Sequence, residues 1–287
     1  MPDRPRVAII GVGLIGGSIG LALRERELAD EVVGVGRRLT SLEKARQLGA
    51  IDRATTNLVE GVVGADWVII ATPVDSIVDT VTAVAAAAPR ATITDAGSTK
   101  AQICREIRKL PPSEPGRPAP GAHFIGSHPL AGGHRTGPEF ARADLLVDRT
   151  VLVTPEDDTP PGLVERTKEF WEALGAEVVL LSPEEHDRAL AATSHLPHLI
   201  AAALASATPE EWLQLTGTGW GDTTRIAAGS PQLWTQIFTQ NRAAVVDALR
   251  RFEHRLAEFD KALTNGDVPA LTLELQEAKR IRDAVGD

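Results

Sequence analysis

Arg6-Val-Ala-Ile-Ile-Gly-Val-Gly-Leu-Ile-Gly-Gly-Ser-Ile-Gly-Leu-Ala-Leu-Arg-Glu-Arg26 settles the fold class. Its first five residues, Arg6 followed by the apolar Val-Ala-Ile-Ile, are read as a buried strand over 6–10. A Gly-x-Gly-x-x-Gly turn follows at Gly11, Gly13 and Gly16, with Leu14 and Ile15 between the last two. A helix is expected over 18–26. Strand, glycine turn and helix in this order form the dinucleotide-binding unit. The first glycine permits the tight turn, the second lets backbone approach a pyrophosphate, and the third brings helix and strand together. The helix N-terminus then faces the phosphates.

The pattern continues outward. Strands are expected at 31–35, 66–71 and 91–95, with helices at 41–48 and 75–88 between them. Alternation of this kind implies right-handed βαβ units and a parallel sheet. The stretch 111–121 holds five prolines and two glycines and reads as an irregular loop. Further strands are expected at 123–127, 150–154 and 177–181, the last two flanking a helix near 163–174. After residue 182 no strand-like run recurs. Ser182-Pro-Glu-Glu185 is a capping box that opens a long helix through Ala205, with Pro197 inside it as a kink. Leu249, Phe252, Leu256, Phe259 and Leu263 recur at spacings of 3, 4, 3 and 4, a heptad-like seam. The expected architecture is α/β: a Rossmann-type doubly wound sheet over 1–182, then an all-α dimerisation domain over 183–287.

Composition narrows the function. The 287 residues carry 30 Lys plus Arg against 39 Asp plus Glu, a formal charge of −9. An acidic chain without a basic run is a poor partner for nucleic acid or an anionic membrane. Its apolar runs fall short of the roughly 20 residues that span a bilayer. No apolar signal segment is evident at the start, so a cytoplasmic location is expected. One cysteine, Cys104, excludes an intrachain disulfide and every cysteine-rich zinc site, and the absence of tyrosine excludes chemistry that needs a tyrosine acid.

The end of the second expected strand selects the cofactor. An NAD site usually places an acid there to bond the ribose 2′-hydroxyl. Here the residues are Gly36, Arg37 and Arg38, which leave room and positive charge for a 2′-phosphate. NADP is expected, with NAD as the alternative; the arginines could also be plain surface residues.

Four polar clusters carry the candidate chemistry. Asp95-Ala-Gly-Ser98-Thr-Lys100 lies at a strand end facing the crevice where open sheets bind ligands. Gly126-Ser-His128-Pro-Leu-Ala-Gly132 does so one strand later. Ser194-His195-Leu-Pro-His198 sits at the expected kink, and Gly221-Asp222-Thr-Thr-Arg225 follows a Gly/Trp turn. Neutral His128 could accept a hydroxyl proton near neutrality. Ser98 could merely cap the next helix, and Arg225 could merely pair with Asp222. Histidines 123, 134, 186, 198 and 254 are read as structural or surface groups. No metal site is expected, because no acid or cysteine completes the His195/His198 pair. No Gly-x-Ser-x-Gly elbow supports a hydrolase.

Together with Ala-Thr-Pro-Val (71–74) and Glu-His-Asp (185–187), these motifs resemble the prephenate/arogenate dehydrogenase family over about residues 6–265. The resemblance implies oxidative decarboxylation of prephenate or L-arogenate in tyrosine biosynthesis. A hydride leaves the ring carbon bearing the 4-hydroxyl, and the ring carboxylate leaves as carbon dioxide. It further implies His128 as proton acceptor, Ser98 holding the hydroxyl or His128, His195 on the substrate and Arg225 as a clamp for a carboxylate. Thr72 and Pro73 join the cofactor-binding set, and the helical domain forms a homodimer. Members often carry an acid where this chain has Gly36. Two competing readings are a β-hydroxyacid-type dehydrogenase, which would need a catalytic lysine on the helical domain, and a non-catalytic NADP-binding sensor.

Overall fold

A computed structural model describes residues 4–112, 119–133 and 135–286. Most of the expected 111–121 loop, and His134, therefore lie outside the described residues.

The chain opens with β1 (Arg6–Ile10), α1 (Leu14–Glu25), β2 (Glu31–Val35) and α2 (Leu39–Gln47). Next come β3 (Arg53–Thr55), α3 (Leu58–Val62), β4 (Trp67–Ile70), α4 (Ile77–Ala87), β5 (Thr92–Asp95) and α5 (Ala101–Arg108). The sheet is completed by β6 (Phe124–Pro129), β7 (Thr150–Thr154) and, after α6 (Pro161–Ala173), by β8 (Glu177–Leu180). Among the described residues the strands form one eight-stranded sheet in the order β3-β2-β1-β4-β5-β6-β7-β8. The order reverses between β1 and β4, which is where open α/β sheets bind ligands.

The unbroken apolar runs of β1 and β4 follow from burial on both faces. Val7 and Ile9 face the cluster under α1, α2 and α6, in which Trp171 is the largest fully buried side chain. Ala8 and Ile10 face the opposite cluster under α3, α4 and α5. The short β3 and α3 were not expected from the sequence. The sheet is parallel except where β7 runs antiparallel to β6, pairing His128 with Leu152. Among the described residues of 130–149 there is no long helix, only turns and one short 3-10 segment at Pro138–Phe140, so no helical crossover returns the chain to the parallel sense.

Among the described residues beyond Leu180 every regular element is helical: α7 (Pro183–Leu190), α8 (Leu196–Ala207), α9 (Thr218–Thr224), α10 (Pro231–Gln240), α11 (Arg242–Asn265) and α12 (Val268–Asp283). The capping box at Ser182 forms as expected. The expected kink takes the form of a π turn at Ala191–His195, just before Pro197, whose missing N–H breaks the regular ladder there. The run Pro183–Ala207 has the length and apolar content to cross a membrane, which the sequence reading did not foresee. Its His186, Asp187, His195 and His198 are instead buried in the protein.

The helical region has a small core of its own, Ala191, Val245 and Ala248. Of the heptad-like seam, Leu249, Phe252 and Phe259 are half-buried, while Leu256 and Leu263 are 55% and 64% exposed.

Candidate active site

The glycine turn is built as the sequence requires. Gly11 has φ +94°, and a Cβ there would lie 2.5 Å from the carbonyl oxygen of Ala71. Thr72 and Pro73 continue from that contact at the end of β4. A Cβ on Gly16 would lie 2.2 Å from the Gly11 carbonyl oxygen, so only glycine lets α1 sit this close to β1. Gly13 differs. It is the N-cap of α1, no side chain caps that end, and a Cβ there would meet nothing within 4 Å. The space over Gly13 and the free amides of the first helical turn, Leu14 and Ile15 among them, form a cradle for a pyrophosphate. The residues present therefore fit a dinucleotide.

At the end of β2, the Gly36 N–H donates to the Thr55 carbonyl at 3.3 Å. Arg37 and Arg38 are exposed and form no ion pair among the described residues. Arg38 is also the N-cap of α2. No carboxylate occupies positions 36–38.

The crevice residues are organised around two buried carboxylates. Asp95, at the tip of β5, is fully buried and paired with the equally buried Lys100 ammonium. Its Oδ1 accepts the Ser127 N–H at 3.0 Å and its Oδ2 accepts the Gly97 N–H at 2.8 Å. One carboxylate thus clasps the backbone beside both Ser98 and His128. Asp187, on α7, reaches across to the N-terminus of α5. It accepts the Lys100 N–H at 2.8 Å and the Ala101 N–H at 3.0 Å. Asp187, not Ser98, therefore caps α5, which sets aside the alternative reading of Ser98 as a plain helix cap. Gln240 adds a second tie between the helical region and the sheet, bonding Thr99 at 2.6 Å and Asp75 at 2.9 Å.

His128 points its Nδ1 at His186 Nε2, 2.9 Å away, and His186 Nδ1 lies 2.9 Å from Asp187 Oδ1. His186, read from the sequence as structural, is thus the partner of His128. Ser98 is half-buried in the adjoining turn, and its side chain makes no hydrogen bond among the described residues. His195 is buried at the π turn, with Nδ1 3.1 Å from Asn241 Nδ2. Burial, and then the neighbouring His186, Lys100 and His195, hold His128 well below the ordinary histidine value. Burial likewise lowers His186, and takes His195 down to about 4. The three rings are neutral at pH 7.

Arg225 begins a 3-10 turn at Arg225–Ala228 that packs on α8. It is exposed and does not pair with Asp222 or any other acid among the described residues, so the fork is open to a carboxylate. His198 stacks on Trp234, centroids 3.6 Å apart. His123 is half-buried and His254 exposed. Sequence reasoning missed His186, Asp187 and Asn241 as site residues. The only signal was the Glu-His-Asp motif itself, in which an acid follows a histidine directly.

Two family models span nearly the whole chain. The prephenate dehydrogenase nucleotide-binding domain matches residues 19–180, and the prephenate dehydrogenase dimerization domain matches residues 182–277. The chain belongs to the prephenate dehydrogenase family. A prephenate dehydrogenase of Bacillus subtilis is 32% identical over 97% of this chain and 76% of its own length. The crystal structure of Aquifex aeolicus prephenate dehydrogenase with hydroxyphenyl propionate and NAD+ superposes with a TM-score of 0.89 at 30% identity, covering 99% of both chains. Synechocystis arogenate dehydrogenase superposes with a TM-score of 0.82 at 28% identity, covering 98% of this chain and 99% of that one. This family member is a nicotinamide-dependent dehydrogenase that oxidatively decarboxylates a cyclohexadienyl acid in tyrosine biosynthesis.

Proposed function

We propose that prephenate or L-arogenate binds in the crevice between the carboxyl ends of β5 and β6 and the helical region, and that His128 is the proton acceptor. The observation that supports this role most directly is the neutral pair of half-buried His128 and buried His186, which leaves His128 Nε2 without a protein partner among the described residues. The bound nicotinamide supplies the hydride acceptor. Gly11, Gly13, Leu14, Ile15, Gly16, Thr72 and Pro73 would hold the dinucleotide. Gly36, Arg37 and Arg38 would take a 2′-phosphate, which favours NADP over NAD.

The overall reaction releases a hydride and carbon dioxide and leaves a phenol, so the hydroxyl proton is not consumed. His128 takes that proton as the ring carbon loses its hydride. It returns the proton to the phenolic oxygen when the ring carboxylate departs and the ring becomes aromatic. Ser98 orients the 4-hydroxyl. Arg225 clamps a substrate carboxylate bidentately, and His195 contacts the substrate from the helical side. Aromatisation drives the step, so the protein chiefly orients groups and balances charge.

We further propose a domain division near residue 182 and a cytoplasmic homodimer. The exposed Leu256 and Leu263 of α11 suit a subunit contact, and the cysteine is buried and free. A His128→Asn variant tests the catalytic role. Turnover should fall by about 10²- to 10⁴-fold, the usual worth of a positioned base, with NADP binding unchanged. Full turnover would end the assignment.

A further inference from the structure

His128 and His195 are both neutral, and a neutral imidazole has one nitrogen that donates and one that accepts. Which is which follows here from groups that have no choice. The Asp187 carboxylate can only accept, so His186 Nδ1, 2.9 Å from it, carries the proton. His186 Nε2 is then a bare acceptor, and His128 Nδ1, 2.9 Å away, donates to it. His128 Nε2 is left bare. The second chain of bonds starts from the same residue. The backbone carbonyl of Asp187 also only accepts, so the Asn241 atom 2.7 Å from it is the amide nitrogen. The other hydrogen of that nitrogen goes to His195 Nδ1 at 3.1 Å. His195 Nδ1 is the acceptor, and its proton resides on Nε2.

We propose that Asp187 fixes the two crevice histidines in opposite tautomers: His128 with a bare Nε2 that accepts the hydroxyl proton, His195 with an Nε2–H that donates to the substrate. The assignment rests on the reading of His128 as proton acceptor and adds to it three positioning residues, His186, Asp187 and Asn241. It also gives His195 a defined role. A dicarboxylate substrate presents oxygens that only accept, and an Nε2–H suits them where a bare nitrogen would repel them. Asp187 works twice, once through its side chain and once through its main chain, while its carboxylate also caps α5.

The double use provides the test. Asp187→Ala removes the carboxylate that pins the His186 proton to Nδ1, and the Lys100 and Ala101 N–H groups lose their acceptor with it. His186 can then carry its proton on either nitrogen, and His128 loses its single tautomer. His195 does not change, because the main-chain carbonyl of residue 187 is still present. The readout is nitrogen–proton correlation NMR of the full chain labelled with 15N-histidine, at neutral pH and without substrate, with single histidine replacements for assignment. The parent protein should show His128 protonated at Nδ1 and His195 at Nε2. D187A should release His128 alone. Its turnover should fall, by less than in His128→Asn, with the KM for the cofactor unmoved. A purely structural role for Asp187 would disturb both histidines and the cofactor KM together. Should D187A not fold, His186→Leu serves instead: it removes the acceptor, and His128 should lose its single tautomer while His195 keeps its own. The same tautomer at both histidines of the parent, or His128 protonated at Nε2, overturns the proposal. The underlying catalytic reading fails separately, through His128→Asn retaining turnover.

Discussion

Lys100→Met should be costly, and the double change Asp95→Asn with Lys100→Met far less so. Both side chains of the pair are fully buried. Without the ammonium, Asp95 keeps only the N–H groups of Gly97 and Ser127, 2.8 and 3.0 Å away, and its charge has no counterpart. Breaking a buried pair from one side costs about 3–5 kcal/mol. At roughly 2–4 °C per kcal/mol for chains of this size, the melting temperature should fall by roughly 6–20 °C. In the double variant the amide that replaces the Asp95 carboxylate is uncharged, and its oxygen still accepts from one of the two backbone N–H groups. Replacing both partners removes the orphaned charge, so most of the loss should return. Thermal and urea unfolding of parent, single and double variants, without cofactor, supply the comparison. Turnover should fall in the single variant too, because the same carboxylate holds the backbone next to Ser98 and His128. A single variant within about 1 kcal/mol of the parent, the range of an exposed pair, would refute the reasoning, as would a double variant as damaged as the single.

Arg38→Ala should raise the KM for NADP roughly 10- to 100-fold, the worth of a charge-assisted hydrogen bond, and leave that for NAD unchanged; equal changes for both would remove the arginine from the cofactor site. Gly13→Ala should keep the parent melting temperature yet weaken cofactor binding in a titration, because its Cβ meets open space. Gly16→Ala should lose stability outright, since its Cβ would fall 2.2 Å from the Gly11 carbonyl oxygen, and equal melting temperatures for the two variants would contradict this. The histidine cluster sets the acid limit. His128, His186 and His195 have folded values below the ordinary one, His195 at about 4. Such groups bind fewer protons folded than unfolded, so their contribution is complete above about pH 6.5 and drains as pH falls towards 4. Urea unfolding should show stability falling over that window, and kcat/KM should show no inflection near 6.5; an inflection there would place a solvent-like histidine in the mechanism.

The nucleotide-binding half was legible because each strand buried on both faces reads as a short apolar run, and each glycine in the first turn answers a steric demand. β3 and α3 escaped notice because three and five residues are too few to show a period. The reversed β7 escaped because strand direction is set by the connection, not by the strand's own residues. In the site, Ser98, His128, His195 and Arg225 stood out as polar residues interrupting apolar or glycine-rich segments. His186 and Asp187 sit on a capped helix among Glu184, Glu185 and Arg188, where local sequence reads as a solvated surface. The packing of α7 against α5, α11 and β7 buries them. Asn241 lies between α10 and α11 and carries no motif of its own.

The most direct measurement is cofactor reduction by the purified protein in four mixtures, prephenate or L-arogenate with NADP or NAD. Turnover of at least one acid, faster with NADP, is the result that follows from the crevice and from Gly36-Arg37-Arg38. Binding of NADP with no turnover of either acid would contradict the account.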